Sequence, residues 1–401
     1  MEKVKTSVKQ TKKKLNKNKI ISLLYINKTL TNAYLVKETG LSLPTVSNLL
    51  SELSDEGFVE IQGAGESSGG RRPNLVGLTK DAFYSIAVDM ERYFGRIALV
   101  NSNNEIVGES KQFEVDLYNK EETVRILSEE INAFVKVLPV NKSRLIGVGV
   151  SLPGLTNSEK GINFNFLNFG EVSVSQILKV KTGLPVYIIN DAQARALAEL
   201  RFGKAKNVKN ALVIYLGMGL GTGLILDGKL YQGTDGFAGE FSHIPVVDNG
   251  ILCHCGKRGC LETIASGAAL ERLALEGLER GEHTELATIA RNKKKGIFYM
   301  DVVESAIRGD SFAIDTLSQV GSELGRGIAM LIQILNPELI IFGGQMVKAG
   351  HLLTIPVEHS LIKYCLNDLR SSVKIEISEI AEKASLIGAV INLTENIFAT
   401  Q

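Results

Sequence analysis

The chain has 401 residues, 44% apolar and 22% charged, which suits a globular protein of two or three domains, each with its own core. Four cysteines, three of them crowded together, exclude a disulfide-stapled secreted scaffold. Net charge is only +1, but residues 1–80 carry thirteen Lys/Arg against seven Asp/Glu and the remainder 32 against 37, so a basic head that calls for a polyanion precedes an acidic body.

Residues 1–19 are lysine-rich with no apolar period until Leu15. They are expected to form either a solvated tail or an arm that touches phosphates. Without a leader-like apolar run after this start, a cytosolic location is expected. From Ile20 an apolar face opens a helix, Thr31-Asn32 caps a second helix over 33–39, and Gly40 makes the turn. A third helix starts at Ser42 with Pro44 in its first turn and Val46, Leu49, Leu50 and Leu53 on one face. This is a helix-turn-helix pattern whose exposed Thr45, Ser47, Asn48 and Ser51 are expected to approach base edges and phosphates in the major groove of DNA. The strand after Gly57, the tip GAGESSGG and the pair Arg71 and Arg72 read as a wing for the minor groove or the backbone. A purely structural helical pair is the competing reading, and the basic charge of the head weighs against it.

Beyond about Ala82 the texture is α/β. Three strands over 83–89, 96–101 and 106–114 alternate as a meander, followed by a helix over 120–137. Leu145–Ser151 is continuously apolar, as in a strand covered on both faces, and Leu184–Asp191 runs into a helix that ends at Phe202. A second meander from Ala211 repeats the first, which predicts two α/β lobes around a ligand cleft. The uncharged run Ala211–Leu226 holds four glycines and is too short to span a bilayer, so no membrane insertion is expected. Further helices are expected over 261–291, 299–308, 312–335 and 355–365. Strands are expected at 339–342 and 373–377, and a terminal helix over 384–398 crosses back onto the first lobe.

Within the second lobe, His243, Cys253, Cys255 and Cys260 have the ligand types and spacing of a closed tetrahedral Zn²⁺ site, with Gly256 and Gly259 relaxing the knuckle. The alternative is a set of unligated thiols. His254 sits between two ligands and competes with His243, which is preferred because the run Gly239–His243 has a role of its own.

Gly239-Glu240-x-x-His243, Cys253-x-Cys255-Gly256-x-x-Gly259-Cys260-Leu261-Glu262, Asn190-Asp191-Ala192 and the glycine loop over 217–223 resemble the ROK family (repressors, open reading frames and sugar kinases), over roughly 82–401. The winged helix in front resembles the repressor branch, with its xylose-, N-acetylglucosamine- and glucose-responsive regulators. The resemblance implies a two-lobed hexokinase/actin-like body with ribonuclease H-like lobes. Its expected divisions are a winged helix-turn-helix with its basic tail at 1–80, a first lobe at 81–195 completed by 380–401, and a second lobe with the zinc knuckle at 196–379. It also implies a sugar or sugar phosphate held by Asn190, Asp191, Glu240, His243 and Glu262, with an upstream asparagine that is either Asn165 or Asn168. Carboxylate and amide oxygens suit vicinal hydroxyls, and a zinc-bound His243 would have its other ring nitrogen free to donate to the sugar.

The kinases of the family carry an Asp-x-Gly-Gly-Thr phosphate loop where this chain reads Asp89-Met90-Glu91-Arg92-Tyr93. Losing two glycines and gaining Glu91 removes close backbone approach to phosphate, so a repressor without kinase activity is expected. It would act as a homodimer or homotetramer. The competing readings are a sugar kinase with Asp191 as base and an appended DNA-binding domain, or a body that docks a protein such as a membrane sugar transporter component.

Overall fold

The computed structural model describes residues 2–65, 72–293, 296–380 and 382–398, the side chains of 2–9 excepted. It divides into two compact units, 1–190 with 386–401, and 191–385.

The first unit opens with helix α1 (Glu2–Asn27), strand β1 (Thr29–Thr31) and helices α2 (Asn32–Thr39) and α3 (Leu43–Asp55). Thr31 caps α2 by accepting from the Tyr34 amide, and Gly40 ends it in the left-handed region at φ 69°. Ser42 caps α3 through the Thr45 amide, and Val46, Leu49, Leu50 and Leu53 are buried. Strands β2 (Val59–Ala64) and β3 (Asn74–Leu78) join β1 in a sheet of order β1-β3-β2, the wing. Residues 66–71, the rest of the tip with Arg71, lie outside the described residues. The basic start is not a coil, because α1 is one helix. Lys13 and Lys17 are spent on Glu52 at 2.7 and 2.9 Å, and Lys17 also reaches Glu56 at 2.6 Å, which ties α1 to α3. Good helix formers extend the helix that the apolar residues from Ile20 anchor.

Next come β4 (Tyr84–Met90), β5 (Phe94–Asn101), β6 (Ile106–Glu114), α4 (Lys120–Val137), β7 (Leu145–Leu152), the short pair β8 (Thr156–Asn157) and β9 (Ile162–Asn163), α5 (Val174–Thr182) and β10 (Val186–Asn190). The main sheet has the order β10-β7-β4-β5-β6, the last three antiparallel and β7 and β10 parallel to β4. One face packs Ile86, Val88, Val148 and Ile188 against α4 and α5 residues such as Leu127 and Leu178.

The second unit contains α6 (Asp191–Phe202), β11 (Ala211–Leu216), β12 (Leu220–Leu226), β13 (Lys229–Tyr231), α7 (Gly267–Arg280), α8 (Leu286–Asn292), α9 (Tyr299–Ile307), α10 (Ser311–Leu335), β14 (Leu339–Gly343), α11 (His351–Tyr364), α12 (Asn367–Ser372) and β15 (Lys374–Ile377). Its sheet order, β13-β12-β11-β14-β15, repeats the first: a three-strand meander with two parallel strands added beside its first member. One continuous helix over 261–291 does not form. Leu261–Thr263 is a 3₁₀ turn, the Ser266 side chain caps α7, and Gly281 at φ 83° stops it. Ser and Gly at these two places outweigh the helical period around them.

The last helix, α13 (Ala384–Phe398), returns to the first unit and covers the other face of its sheet, Leu386 and Val390 packing on Ala87, Ala98 and Val100. It lies so close that a Cβ on Gly149 would be 2.2 Å from the Ala389 carbonyl oxygen. Within this unit the winged helix is fastened to the sheet. The Arg144 guanidinium donates to the carbonyls of Glu56 at 2.6 Å and Ala82 at 2.9 Å and lies over the Phe58 ring at 4.6 Å. Rings of Tyr25, Phe83 and Phe398 stand in series, with centroids 5.8 and 5.3 Å apart.

Candidate sugar and metal site

The second unit brings Asp191, Glu240, His243 and Glu262 together with the cysteine knuckle. Gly239 holds φ 103°, and a Cβ there would lie 2.2 Å from the Thr222 carbonyl oxygen, so only glycine can start the 3₁₀ turn Glu240–His243. Phe241 and Ser242 are buried, which leaves Glu240 and His243 pointing away from the core. Gly239→Ala should therefore displace both site residues and destabilise the protein by about 1–3 kcal/mol through backbone strain. A thermal unfolding scan checks this, and an unchanged Tm would remove the argument.

The knuckle is a tight hairpin with bridges Pro245↔Cys260 and Leu252↔Arg258. Gly259, at φ 75°, sits where a Cβ would be 1.8 Å from the Val247 carbonyl oxygen. One ligand atom each from His243, Cys253, Cys255 and Cys260 lies within 4.8 Å of the others. The Cys255 and Cys260 sulfurs are 3.6 Å apart, and Cys253 Sγ is 3.5 Å from His243 Nδ1. A tetrahedron with Zn–S bonds of about 2.3 Å has edges near ~3.8 Å, so the donor set fits zinc. Burial pushes the Cys253 thiol up to about 12 and raises Cys260 too. Three thiols this close do not ionise together unless a cation sits among them. Burial holds His243 below its ordinary range, in the neutral form that ligates metal. Its Nε2 lies 3.8 Å from Glu240 Oε2, so one ring nitrogen faces sulfur and the other the carboxylate. His254, the competitor, turns its Nδ1 to Glu262 at 3.1 Å and stays 3.9 Å from Cys253 Sγ.

Burial, and then the charges of Asp191 and Glu262, raise the Glu240 carboxyl from 4.5 to about 7. A carboxyl raised on folding gives stability that is whole below the unfolded value and is lost as pH climbs through the folded one, here from about 4.5 to about 7. Glu240→Gln should therefore gain in Tm over the parent between pH 4.5 and 8. A constant Tm difference across that range would show that Glu240 does not titrate as described.

Asp191 opens α6, where Arg195 one turn on donates to Asp191 Oδ2 at 3.0 Å and lies 3.7 Å from the centre of the Tyr215 ring. The spacing of four is a readable helical pair, but that Arg195 would be buried was not. In the first unit, Asn190 Nδ2 donates to the Gly154 carbonyl at 3.0 Å. Asn165 Oδ1 accepts from the Leu155 amide at 2.6 Å and lies 2.9 Å from where a Gly154 Cβ would be. Asn168 instead closes its own turn with Phe164 and Gly170.

Two glycines of the loop over 217–223 serve packing. Gly223 is small because a Cβ would meet Ala196 Cβ at 2.3 Å, and Gly221 likewise faces Ala192 at 3.1 Å, so these glycines let α6 lie on β12. In the β4–β5 turn, Asp89 is ion-paired with Arg96 at 2.9 Å, and the Glu91 amide bonds back to Phe94. Arg92 is sandwiched over the rings of Tyr93 at 5.0 Å and Tyr118 at 4.6 Å.

On α3, Ser47, Asn48 and Ser51 are exposed, whereas Thr45 is half-buried with its hydroxyl 2.8 Å from that of Ser42. Arg72 is exposed at the base of the wing.

The ROK family model matches residues 85–395 and an IclR helix-turn-helix domain model matches residues 27–63. A xylose repressor of Caldicellulosiruptor bescii is 31% identical over 380 residues, 94% of this chain and 95% of that protein. Among solved structures, a ROK family transcriptional regulator homologous to the Escherichia coli MLC protein superposes with a TM-score of 0.79 at 28% identity, covering 96% of both chains. A ROK family glucokinase from Streptomyces griseus, in complex with glucose and AMPPNP, gives 0.68 at 27% identity, covering 76% of this chain and 97% of its own.

Proposed function

The chain belongs to the ROK family, and from that premise we propose that it is a sugar-responsive transcriptional repressor without kinase activity. The observation that carries the reading is the pairing of a winged helix with a body whose β4–β5 turn carries Glu91 and Arg92, the latter lying over the rings of Tyr93 and Tyr118. Operator DNA is read by Ser47, Asn48 and Ser51, with Thr45 behind them and the wing arginines Arg71 and Arg72 on the backbone. In the second unit the effector is assigned to Asp191, Glu240, His243 and Glu262; in the first unit the candidate is Asn190, with Asn165 preferred of the two upstream asparagines because it shares Gly154 with Asn190. Three carboxylates favour an uncharged sugar rich in donor hydroxyls over a sugar phosphate. Zinc, held by His243, Cys253, Cys255 and Cys260, is structural: it fixes the knuckle and the ring of His243. The protein acts as a homodimer whose paired α3 helices meet half-sites about 10 base pairs, or a multiple, apart. Sugar releases DNA because it binds more tightly to an arrangement in which that spacing is wrong.

A gel shift with the DNA upstream of the protein's own gene, titrated with a panel of neutral and phosphorylated sugars, tests the reading. No sequence-specific shift, or a shift that no sugar reverses, overturns it. The likeness to a glucokinase keeps one rival in view, with Asp191 as base. ATP turnover with any hexose that disappears in Asp191→Asn would favour the enzyme.

A further inference from the structure

We propose that Arg92, Tyr93 and Tyr118, at the carboxyl end of the first unit's sheet, form a subsite for a second sugar ring. The effector is then an oligosaccharide, an inference that rests on the sugar-sensing reading above and names the class of sugar. Tyr93 and Tyr118 are large rings left open to solvent, at 59% and 57% exposure. Arg92 lies over both, 5.0 Å from the centre of the first and 4.6 Å from the centre of the second. The group is braced: the Leu117 and Val115 amides donate to the carbonyls of Arg92 and Tyr93, each at 3.1 Å, and the Tyr118 ring stands edge-on to Phe166 at 5.5 Å. Its polar ends are nevertheless unspent. The Arg92 guanidinium and the two tyrosine hydroxyls have no hydrogen-bond or ion-pair partner among the described residues.

The place of the cluster fits that occupant. Strands β4, β7 and β10 run parallel, and the pairing of Asp89 with Ser151 and of Asn190 with Leu152 ends β4 and β10 at the same level. With β7 between them, the two ends lie about 10 Å apart. Asn190 closes one strand, and the turn with Arg92 and Tyr93 follows the other. One pyranose does not span that gap, whereas two linked rings do. Within this unit the path is continuous: Asn165, beside Gly154, is followed by Phe166, whose ring meets Tyr118. A pyranose has an apolar C–H face that packs on an aromatic ring and a rim of hydroxyl oxygens that accept from a guanidinium, so the cluster offers both halves of what a sugar needs. A phosphate would use the guanidinium alone, and Glu91, adjacent in the chain, brings a like charge.

Isothermal titration calorimetry on the full-length chain tests this, comparing xylose, glucose and N-acetylglucosamine with xylobiose, cellobiose, maltose and chitobiose, and with the 6-phosphates of the two hexoses. At least one disaccharide should bind about ten- to a hundredfold more tightly than its monosaccharide. Tyr118→Ala and Arg92→Ala should each weaken that disaccharide by about tenfold and leave the monosaccharide within about twofold, a split that damage to the fold does not produce. Thermal unfolding and sugar-free operator binding, both equal to the parent's, confirm that the variants are intact. Disaccharides no tighter than their monosaccharides, or variants that weaken both alike, overturn the subsite while the sugar-sensing reading stands. A sugar phosphate that outbinds every disaccharide and depends on Arg92 but not on Tyr118 also overturns it, giving the cluster to an anion. If none of these sugars binds and none releases operator DNA, the sensing reading falls and the subsite with it.

Discussion

Cys260→Ser is expected to release zinc and lower Tm by roughly 5 °C, the equivalent of about 4 kcal/mol in a protein this size. Cys260 is fully buried, its sulfur 3.6 Å from that of Cys255, and its backbone pairs with Pro245 across the knuckle. A serine hydroxyl is a poor substitute for thiolate toward a borderline-soft ion, so the other three donors would lose the charge that lets them sit together. Because Cys260 leads directly into the turn that carries Glu262, the damage should extend to the sugar response. Elemental analysis of the parent and the variant, with calorimetry alongside, decides the matter. A parent without bound zinc, or a variant as stable as the parent, contradicts it.

Glu262→Gln should weaken the sugar by between tenfold and about a hundredfold while leaving operator affinity in its absence unchanged. The amide keeps the shape but loses a charged acceptor, and hydrogen bonds to charged groups are each worth about 1.5–3 kcal/mol. Glu262 is mostly shielded, with its side chain 15% exposed and held by His254, so solvent offers little compensation. The substitution also removes one of the two carboxylates that raise Glu240, whose titration should move back toward the ordinary carboxylate range. The midpoint of sugar-induced release in the gel shift reports the first effect; a midpoint equal to the parent's would exclude Glu262 from the site.

Much of the architecture was legible because two signals are local. Continuous apolar runs such as Leu145–Ser151 do form strands buried in a sheet, and the second meander at Ala211 does repeat the topology of the first. What resisted reading depends on partners distant in sequence. Helix α1 looked like a tail because the carboxylates that hold its lysines, Glu52 and Glu56, lie about 40 residues on. The helix expected from 261 onward breaks at Ser266 and Gly281, where local capping chemistry wins over period. At the site, the three cysteines with His243 suggest a metal through ligand type and spacing, whereas the sugar role of Gly239-Glu240-x-x-His243 comes from the family resemblance. Arg195 beneath Asp191 and the Arg92 sandwich could not be seen, since both require knowing which rings, Tyr215 and Tyr118, fold back beside them.

The joint made by Arg144 limits how freely such a head can be transplanted. A chimera cut after residue 80 would leave behind Arg144, which grips the carbonyls of Glu56 and Ala82, and would strip Tyr25 of its neighbour Phe83, itself leaning on Phe398. Reading head and lobe are therefore one inherited part, and a graft that exchanges the operator code must carry residues from three separate stretches of chain.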